Sequence, residues 1–284
     1  MSMQFPVPDF DSAVRRVIND ALAEDVGPGD VTSLAVIPED LRFRGVMAAR
    51  EEMVVAGIDI AETVFNVVVP EATFIKKCAD GDVLQPGAVL AEMVGPARGL
   101  LTAERTALNL LQHLSGIATL TRSYVDVIAG TGAILLDTRK TIPGLRLLAK
   151  YATRMGGAQN HRMGLYDGIL IKDNHIAVCG SVASAVKMAK DAKSGLVEVE
   201  TDTLDQVLEA VDAGADIILL DNMDPPTLRQ AVALVAGRCK TEASGGVRLE
   251  TIRAIAETGV NYISVGRLTQ SATSIDIGMD WDAQ

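Results

Sequence analysis

Six short apolar stretches of this chain end in residues that can bind, polarise or neutralise charge. Asp137-Thr138-Arg139-Lys140 closes the first, Lys172-Asp173-Asn174-His175 the second and Glu198-Val199-Glu200 the third. Asp221-Asn222, Ser244-Gly245-Gly246 and Gly266 close the other three. The first two ends are cationic, the next two anionic and the last two small. Cations bind an organic anion, and Arg matches carboxylate geometry with a two-pronged grip. Carboxylates hold a divalent metal or stabilise a developing positive charge. Glycine-rich ends let backbone N–H groups approach a phosphate. One pocket built from all six would take an organic acid, a metal or cation, and a phosphate ester.

Each feature also has a plainer reading. A Lys or Arg after a strand is often a solvated loop charge, a lone Glu often pairs with a nearby Lys, and Ser-Gly-Gly is a common turn. The weight lies in their coincidence at six successive ends. Glu198 and Glu200 share one face of their strand, because side chains alternate. His161-Arg162 lies outside the strands in the glycine-rich run GGAQNHRMGLYDG, and is read as a substrate contact. His113 falls inside a helical pattern and is read as packing.

Charge supports a local anion site. The chain is −11 overall, yet Asp137 to His175 carries seven Lys/Arg against three Asp, a basic island within an acidic protein. The acidic balance argues against nucleic acid as a partner.

The elements that must position these residues are legible as a repeat. From residue 133 onward a short apolar run, a polar cluster and a helical pattern recur. The runs are 133–137, 168–172, 196–200, 216–221, 239–244 and 261–266. Such alternation predicts a parallel sheet with right-handed crossovers, with function at the C-terminal strand ends. It is compatible with an incomplete barrel or an open doubly wound sheet. Residues 40–95 differ, with strand-like runs at 42–50, 53–57, 72–78 and 88–95 around a helical pattern at 59–68, an α+β layer. A long helix is expected over 102–129, where Gly116 marks close packing or a kink. DGDVLQPGAVLAEMVG resembles the hairpins of biotinyl and lipoyl carriers but has no tip lysine, so it is read as structural.

With 284 residues, 48% of them hydrophobic, the chain can fill one large domain or two modest ones. Cys78, Cys179 and Cys239 are odd in number and far apart, which fits free thiols in a reducing compartment. The N-terminus lacks a signal-peptide pattern, and no apolar run approaches the length of a membrane span. The expected location is cytoplasmic.

The runs 100–119, DTRKTIPGLR (137–146), 150–176 with NHRMGLYDG and IKDNH, VEVET (197–201), IILLDNM (217–223), EASGGV (242–247) and 259–280 resemble quinolinate phosphoribosyltransferases. The resemblance runs from about Glu24 to the C-terminus. It implies the type II phosphoribosyltransferase fold: an N-terminal α+β sandwich domain, residues 1–110 completed by 275–284, and an incomplete α/β barrel of about six parallel strands, residues 111–274.

The resemblance also implies the reaction and the site. Phosphoribosyl pyrophosphate and quinolinate would give nicotinate mononucleotide, pyrophosphate and CO2 with Mg²⁺, in a homodimer that shares its active sites. Arg105 would reach the partner's quinolinate. Thr138, Arg139, Lys140, His161 and Arg162 would surround the two carboxylates, and Lys172 would point towards the phosphoribosyl group. Glu200 and Asp221 would face the ribose and hold Mg²⁺ through water or pyrophosphate. Lys140, Glu200 and Asp221 are the expected catalytic residues. Ser244, Gly245, Gly246 and Gly266 would cradle the 5′-phosphate. Many relatives have a small residue and a His where this chain has Arg267 and Gln270, which leaves those two without an assigned role.

Three other readings compete for these residues. A pyrophosphorylase-like protein associated with molybdate transporters would lack the complete DTRKT and IKDNH runs. A Schiff-base lyase needs a lysine in apolar surroundings, whereas Lys140 and Lys172 have charged neighbours. A non-enzymatic anion-sensing barrel would not need Glu200 and Asp221.

Overall fold

A computed structural model describes residue 7, residues 9–192 and residues 195–283. The N-terminal stretch read for a signal peptide lies largely outside these residues, as does Lys193 at the end of an expected helix. In chain order the elements are α1 (Phe10–Asp25), α2 (Val31–Val36), β1 (Arg42–Ala49), β2 (Met53–Val54), α3 (Ile58–Val68), β3 (Thr73–Lys76), β4 (Val83–Leu84), β5 (Val89–Pro96) and α4 (Ala97–Ile128). Then follow β6 (Ile134–Leu136), α5 (Arg146–Met155), β7 (Ile169–Ile171), α6 (Asp173–Cys179), α7 (Val182–Asp191), β8 (Val197–Thr201) and α8 (Leu204–Asp212). The chain ends with β9 (Ile217–Asp221), α9 (Pro225–Val235), β10 (Lys240–Ser244), α10 (Leu249–Ala256), β11 (Tyr262–Ser264), α11 (Arg267–Gln270) and β12 (Ile277–Ala283).

The chain forms two compact units. The first takes residues up to Leu120, Ile142–Gly156 and the segment from Ser271 onward. Its antiparallel sheet runs β12-β1-β5-β3, with β12 paired to β1 along Phe43↔Ala283 to Ala49↔Ile277. The apolar core joins Met47 and Met93 from the sheet to Phe65 on α3 and Leu111, Leu114 and Ile117 on α4. Each is almost fully removed from water, a gain of about 1.5–3 kcal/mol per large apolar side chain. At Gly116 a Cβ would lie 2.0 Å from the Thr273 carbonyl oxygen, and α4 runs unbroken through it, so that glycine serves close packing rather than a kink.

The carrier-like hairpin is structural. Asp80 accepts hydrogen bonds from the Gly57 and Ile58 amides (2.9 and 3.0 Å) and from the Tyr151 hydroxyl (2.5 Å).

The second unit takes Thr121–Thr141 and Gly157–Gln270. Its six strands are all parallel, in the order β6-β11-β10-β9-β8-β7. From β7 to β11 each strand pairs with its successor, and the first strand, β6, pairs with the last. That order decides for the barrel, closed except at one seam between β6 and β7. A loop enters the seam, since Gln159 bridges Leu136 and its amide donates to the Leu135 carbonyl at 2.9 Å.

Side-chain parity sets what faces where. Val197, Val199, Ile218, Leu220, Ala243 and Ile263 are buried and alternate with residues on the opposite face, Glu198 and Glu200 on β8, Leu219 and Asp221 on β9, and Glu242 and Ser244 on β10.

Two expectations change. The helix after β6, α5, groups with the first unit, where it packs against α1. Asp173-Asn174-His175 does not extend a strand end but opens α6. There Lys172 is the N-cap and the His175 Nδ1 accepts from its amide at 2.9 Å, so the backbone turns helical one residue after Lys172.

Candidate active site

The C-terminal ends of the barrel strands open into a cleft of about 570 Å³, within the size range of small-molecule sites. Thr138, Arg139, Lys140, His161, Arg162, Lys172, Glu200, Asp221, Ser244, Gly245, Gly246 and Gly266 all line it. Arg105 is an exposed residue of α4 and is not part of this wall. The inward positions are spaced by two along each strand: Leu170 and Lys172, Leu219 and Asp221, Glu242 and Ser244, Ser264 and Gly266. Alternation therefore aims one side chain per strand end at the cleft mouth and one beneath it.

The wall is electrostatically divided. Arg139, Lys140, Arg162, Lys172, Arg248 and Arg267 supply six cations against the carboxyls of Glu200, Asp221 and Glu242. Lys172 is ion-paired with Glu200 across the ends of β7 and β8. Asp221 Oδ2 accepts from Asn222 Nδ2 at 2.6 Å.

The small residues are required by their neighbours. Gly245 has φ +92°, and a Cβ there would lie 2.1 Å from Asn222 Oδ1 and 2.8 Å from the Asn222 amide nitrogen. Asn222 itself adopts φ 55°, a left-handed conformation that Asn tolerates. At Gly266 a Cβ would come within 2.8 Å of Lys140 Cδ, so the missing side chain gives the lysine its path over the end of β11. Lys140 is further held by its amide, which donates to Thr138 Oγ1 at 3.1 Å, and by its carbonyl, which accepts from Thr269 Oγ1 at 2.7 Å.

His161 and Arg162 arrive on the seam loop. The His161 amide donates to Asp137 Oδ1 at 2.9 Å, and Asn160 Nδ2 donates to Asp137 Oδ2 at 2.5 Å. Arg162 Nη1 donates to the Gly168 carbonyl at 3.1 Å. The imidazole turns into the barrel, with Nε2 3.1 Å from Glu198 Oε2 and 3.7 Å from Glu242 Oε2.

This trio has ligand types suited to a metal, with its atoms within 4.8 Å of one another. However, His161 Nδ1 accepts the Arg162 amide proton at 2.8 Å. The ring's own proton therefore sits on Nε2, directed at the carboxyls, and that nitrogen has no lone pair to offer a cation. The Glu242 carboxyl is pushed up to about 8, first by burial and then by the Glu198 charge, so it holds a proton at neutral pH.

Glu242 was absent from the expected site, and Glu198, named at its strand end, had no assigned role there. Their signal was parity: each lies two residues before an expected site residue, Ser244 and Glu200, on the same face. Arg267 also lines the cleft, and its side chain hydrogen-bonds Tyr124.

Comparison with known proteins gives a consistent result. Residues 30–115 match the family model for the N-terminal domain of quinolinate phosphoribosyl transferase, and residues 117–280 match that for its C-terminal domain. A probable carboxylating nicotinate-nucleotide pyrophosphorylase of Bacillus subtilis is 48% identical, covering 94% of this chain and 93% of that protein. The carboxylating nicotinate-nucleotide pyrophosphorylase of Mycobacterium leprae is 46% identical over 96% of this chain and 98% of its own. The solved structure of the Francisella tularensis nicotinate-nucleotide pyrophosphorylase superposes with a TM-score of 0.93 at 41% identity, covering 98% of each chain.

Proposed function

The chain belongs to the quinolinate phosphoribosyltransferase family, and from that membership we propose how its cleft carries the family's reaction. The protein transfers the phosphoribosyl group of phosphoribosyl pyrophosphate to quinolinate with decarboxylation. The products are nicotinate mononucleotide, pyrophosphate and CO2, a step of NAD biosynthesis.

One observation carries the assignment of roles: a cationic wall and a carboxylate wall meet in a single cleft whose far side is glycine. Arg139, Lys140 and Arg162 surround the two quinolinate carboxylates, with Thr138 adding a hydrogen bond and His161 beside them, its ring nitrogens turned to Glu198 and to the Arg162 amide. Lys172 stands where acceptor and phosphoribosyl groups meet, tied to Glu200. Ser244, Gly245, Gly246 and Gly266 offer backbone and hydroxyl groups to the 5′-phosphate.

Catalysis follows from charge. The pyridine nitrogen bonds to ribose C1 as the C1–O bond to pyrophosphate breaks. Positive character at C1 faces Glu200 and Asp221, which stabilise it. The new ring nitrogen is cationic, so it stabilises the electron pair left when the adjacent carboxylate departs as CO2, and the vacated carbon takes a proton. Lys140, lying over the cleft floor, keeps the dianion in place through both stages.

Glu200 and Asp221 end neighbouring strands and are half-buried oxygen donors. They suit Mg²⁺, which binds through one or two carboxylates together with substrate phosphates. Bound there it would neutralise the leaving pyrophosphate.

We extend the proposal to a homodimer in which exposed Arg105 completes the partner copy's acceptor pocket. We also place the protein in the cytoplasm, a setting supported by three free cysteines and by the lack, among the described residues, of any helix long and apolar enough to cross a membrane.

The test is a product balance. Carboxyl-labelled quinolinate, phosphoribosyl pyrophosphate and Mg²⁺ should yield one CO2 per nicotinate mononucleotide, with none formed after chelation. CO2 release without nucleotide, or nucleotide formed without metal, would refute the scheme.

A further inference from the structure

The carboxyls of Glu198 and Glu242 lie under the cleft, and the reaction scheme above does not use them. Both are almost wholly buried, at 6% and 1% exposure. They stand on β8 and β10, with β9 between: Glu198 is registered with Ile217 and Glu242 with Leu219. The group they converge on comes from the other side of the barrel opening. His161 enters through the seam between β6 and β7, and its Nε2 meets both carboxyls, at 3.1 and 3.7 Å.

We propose that Glu198 and Glu242 are positioning residues for acceptor recognition, fixing the His161 ring and through it the His161–Arg162 segment that borders the cleft. This rests on the reading of that segment as an acceptor contact. Three features of the geometry support it. Both imidazole nitrogens are engaged, Nε2 by the carboxyls and Nδ1 by the Arg162 amide at 2.8 Å. The ring thus links the interior carboxyls to the main chain of the arginine. The loop is joined to β6 by the Gln159 bridge and by Asp137, which takes the His161 amide and the Asn160 side chain, and Arg162 Nη1 is held by the Gly168 carbonyl; the ring adds the tie between this segment and the barrel interior. Glu242 is also hydrogen-bonded to Ser264 and to Glu198, and Glu198 makes the shorter approach to Nε2.

Each carboxyl still has one buried oxygen, Oε1, without a hydrogen-bond partner, and both residues border a second cavity of about 360 Å³. A buried polar atom left unsatisfied is costly. Buried ionic groups are weak evidence for stability, since apolar side chains in their place are often neutral or stabilising.

The test uses steady-state kinetics on the full chain. Glu198→Leu fills the same space without an acceptor, and Glu198→Gln keeps a carbonyl for Nε2–H. The leucine variant should raise KM for quinolinate about tenfold, the cost of roughly one buried hydrogen bond, with KM for phosphoribosyl pyrophosphate unchanged. The glutamine variant should restore most of that loss. In a His161→Ala background, Glu198→Leu should add almost nothing, because the two residues act as one unit. Full additivity in that background overturns the inference, as does an equal rise in both KM values. An unchanged KM for quinolinate in His161→Ala alone contradicts the acceptor reading itself, and with it the inference.

Discussion

Lys172, at the end of β7, is ion-paired with Glu200, at the end of β8. The pair ties the cationic wall of the cleft to its carboxylate wall, at the place where acceptor and donor must meet. Glu200→Gln should therefore lower kcat by roughly 10²–10³, the usual cost of one preorganised electrostatic group. Adding Lys172→Met should cost less than the product of the two single effects. Single- and double-variant rates measure this, and strict additivity would separate the two roles.

The two-carboxylate clamp predicts selectivity. With nicotinate, one set of cations is left buried and unpaired, so turnover should fall by orders of magnitude. Arg139→Lys should not rescue Arg139→Ala, since lysine lacks the fork. Initial rates with both acids check the first point, and equal turnover of nicotinate would contradict it.

The glycines predict a ranking. Gly245→Ala sets a methyl against backbone, 2.8 Å from the Asn222 amide, at φ +92°. Gly266→Ala is crowded by the flexible Lys140 chain at 2.8 Å, with Thr138 and Gln270 at ordinary contact distance, and Gly246→Ala, at φ +61°, meets nothing within 4 Å. KM for phosphoribosyl pyrophosphate should rise most for Gly245→Ala and least for Gly246→Ala.

Glu242 predicts a pH effect on stability. Its carboxyl rises from 4.5 to about 8 in the folded protein. Between those values the folded state holds a proton that the unfolded state has released, so this group makes stability fall as pH rises, by at most about 1.4 kcal/mol per unit. Glu242→Gln removes that slope. Denaturant midpoints at pH 5 and pH 8 should show the variant gaining on the wild type as pH rises.

Much of this was legible in the sequence. The six barrel strands fall within a residue or so of the runs read from apolar patterning, because short parallel strands are apolar and end in polar loops. Ten of the twelve expected site residues that line the cleft lie at strand ends for the same reason, while His161 and Arg162 reach it on the seam loop. What escaped was what depends on partners distant in sequence. β4 is two residues long and exists only by pairing with β2. α5 is amphipathic like the other crossover helices, and nothing local says that it groups with α1. Glu242, inside CKTEAS, shares the inward face with Ser244, but nothing local shows that it meets His161, some eighty positions earlier, which enters through the seam.

The assignment of the reaction to this cleft is tested most directly by Lys140→Ala. Lys140 is exposed and its side chain lies beside Gly266, so its removal should leave the thermal midpoint unchanged. Wild type and variant, assayed side by side with quinolinate, phosphoribosyl pyrophosphate and Mg²⁺, should differ by at least about 10²-fold in nicotinate mononucleotide formed. Equal rates from a folded variant would place the chemistry elsewhere.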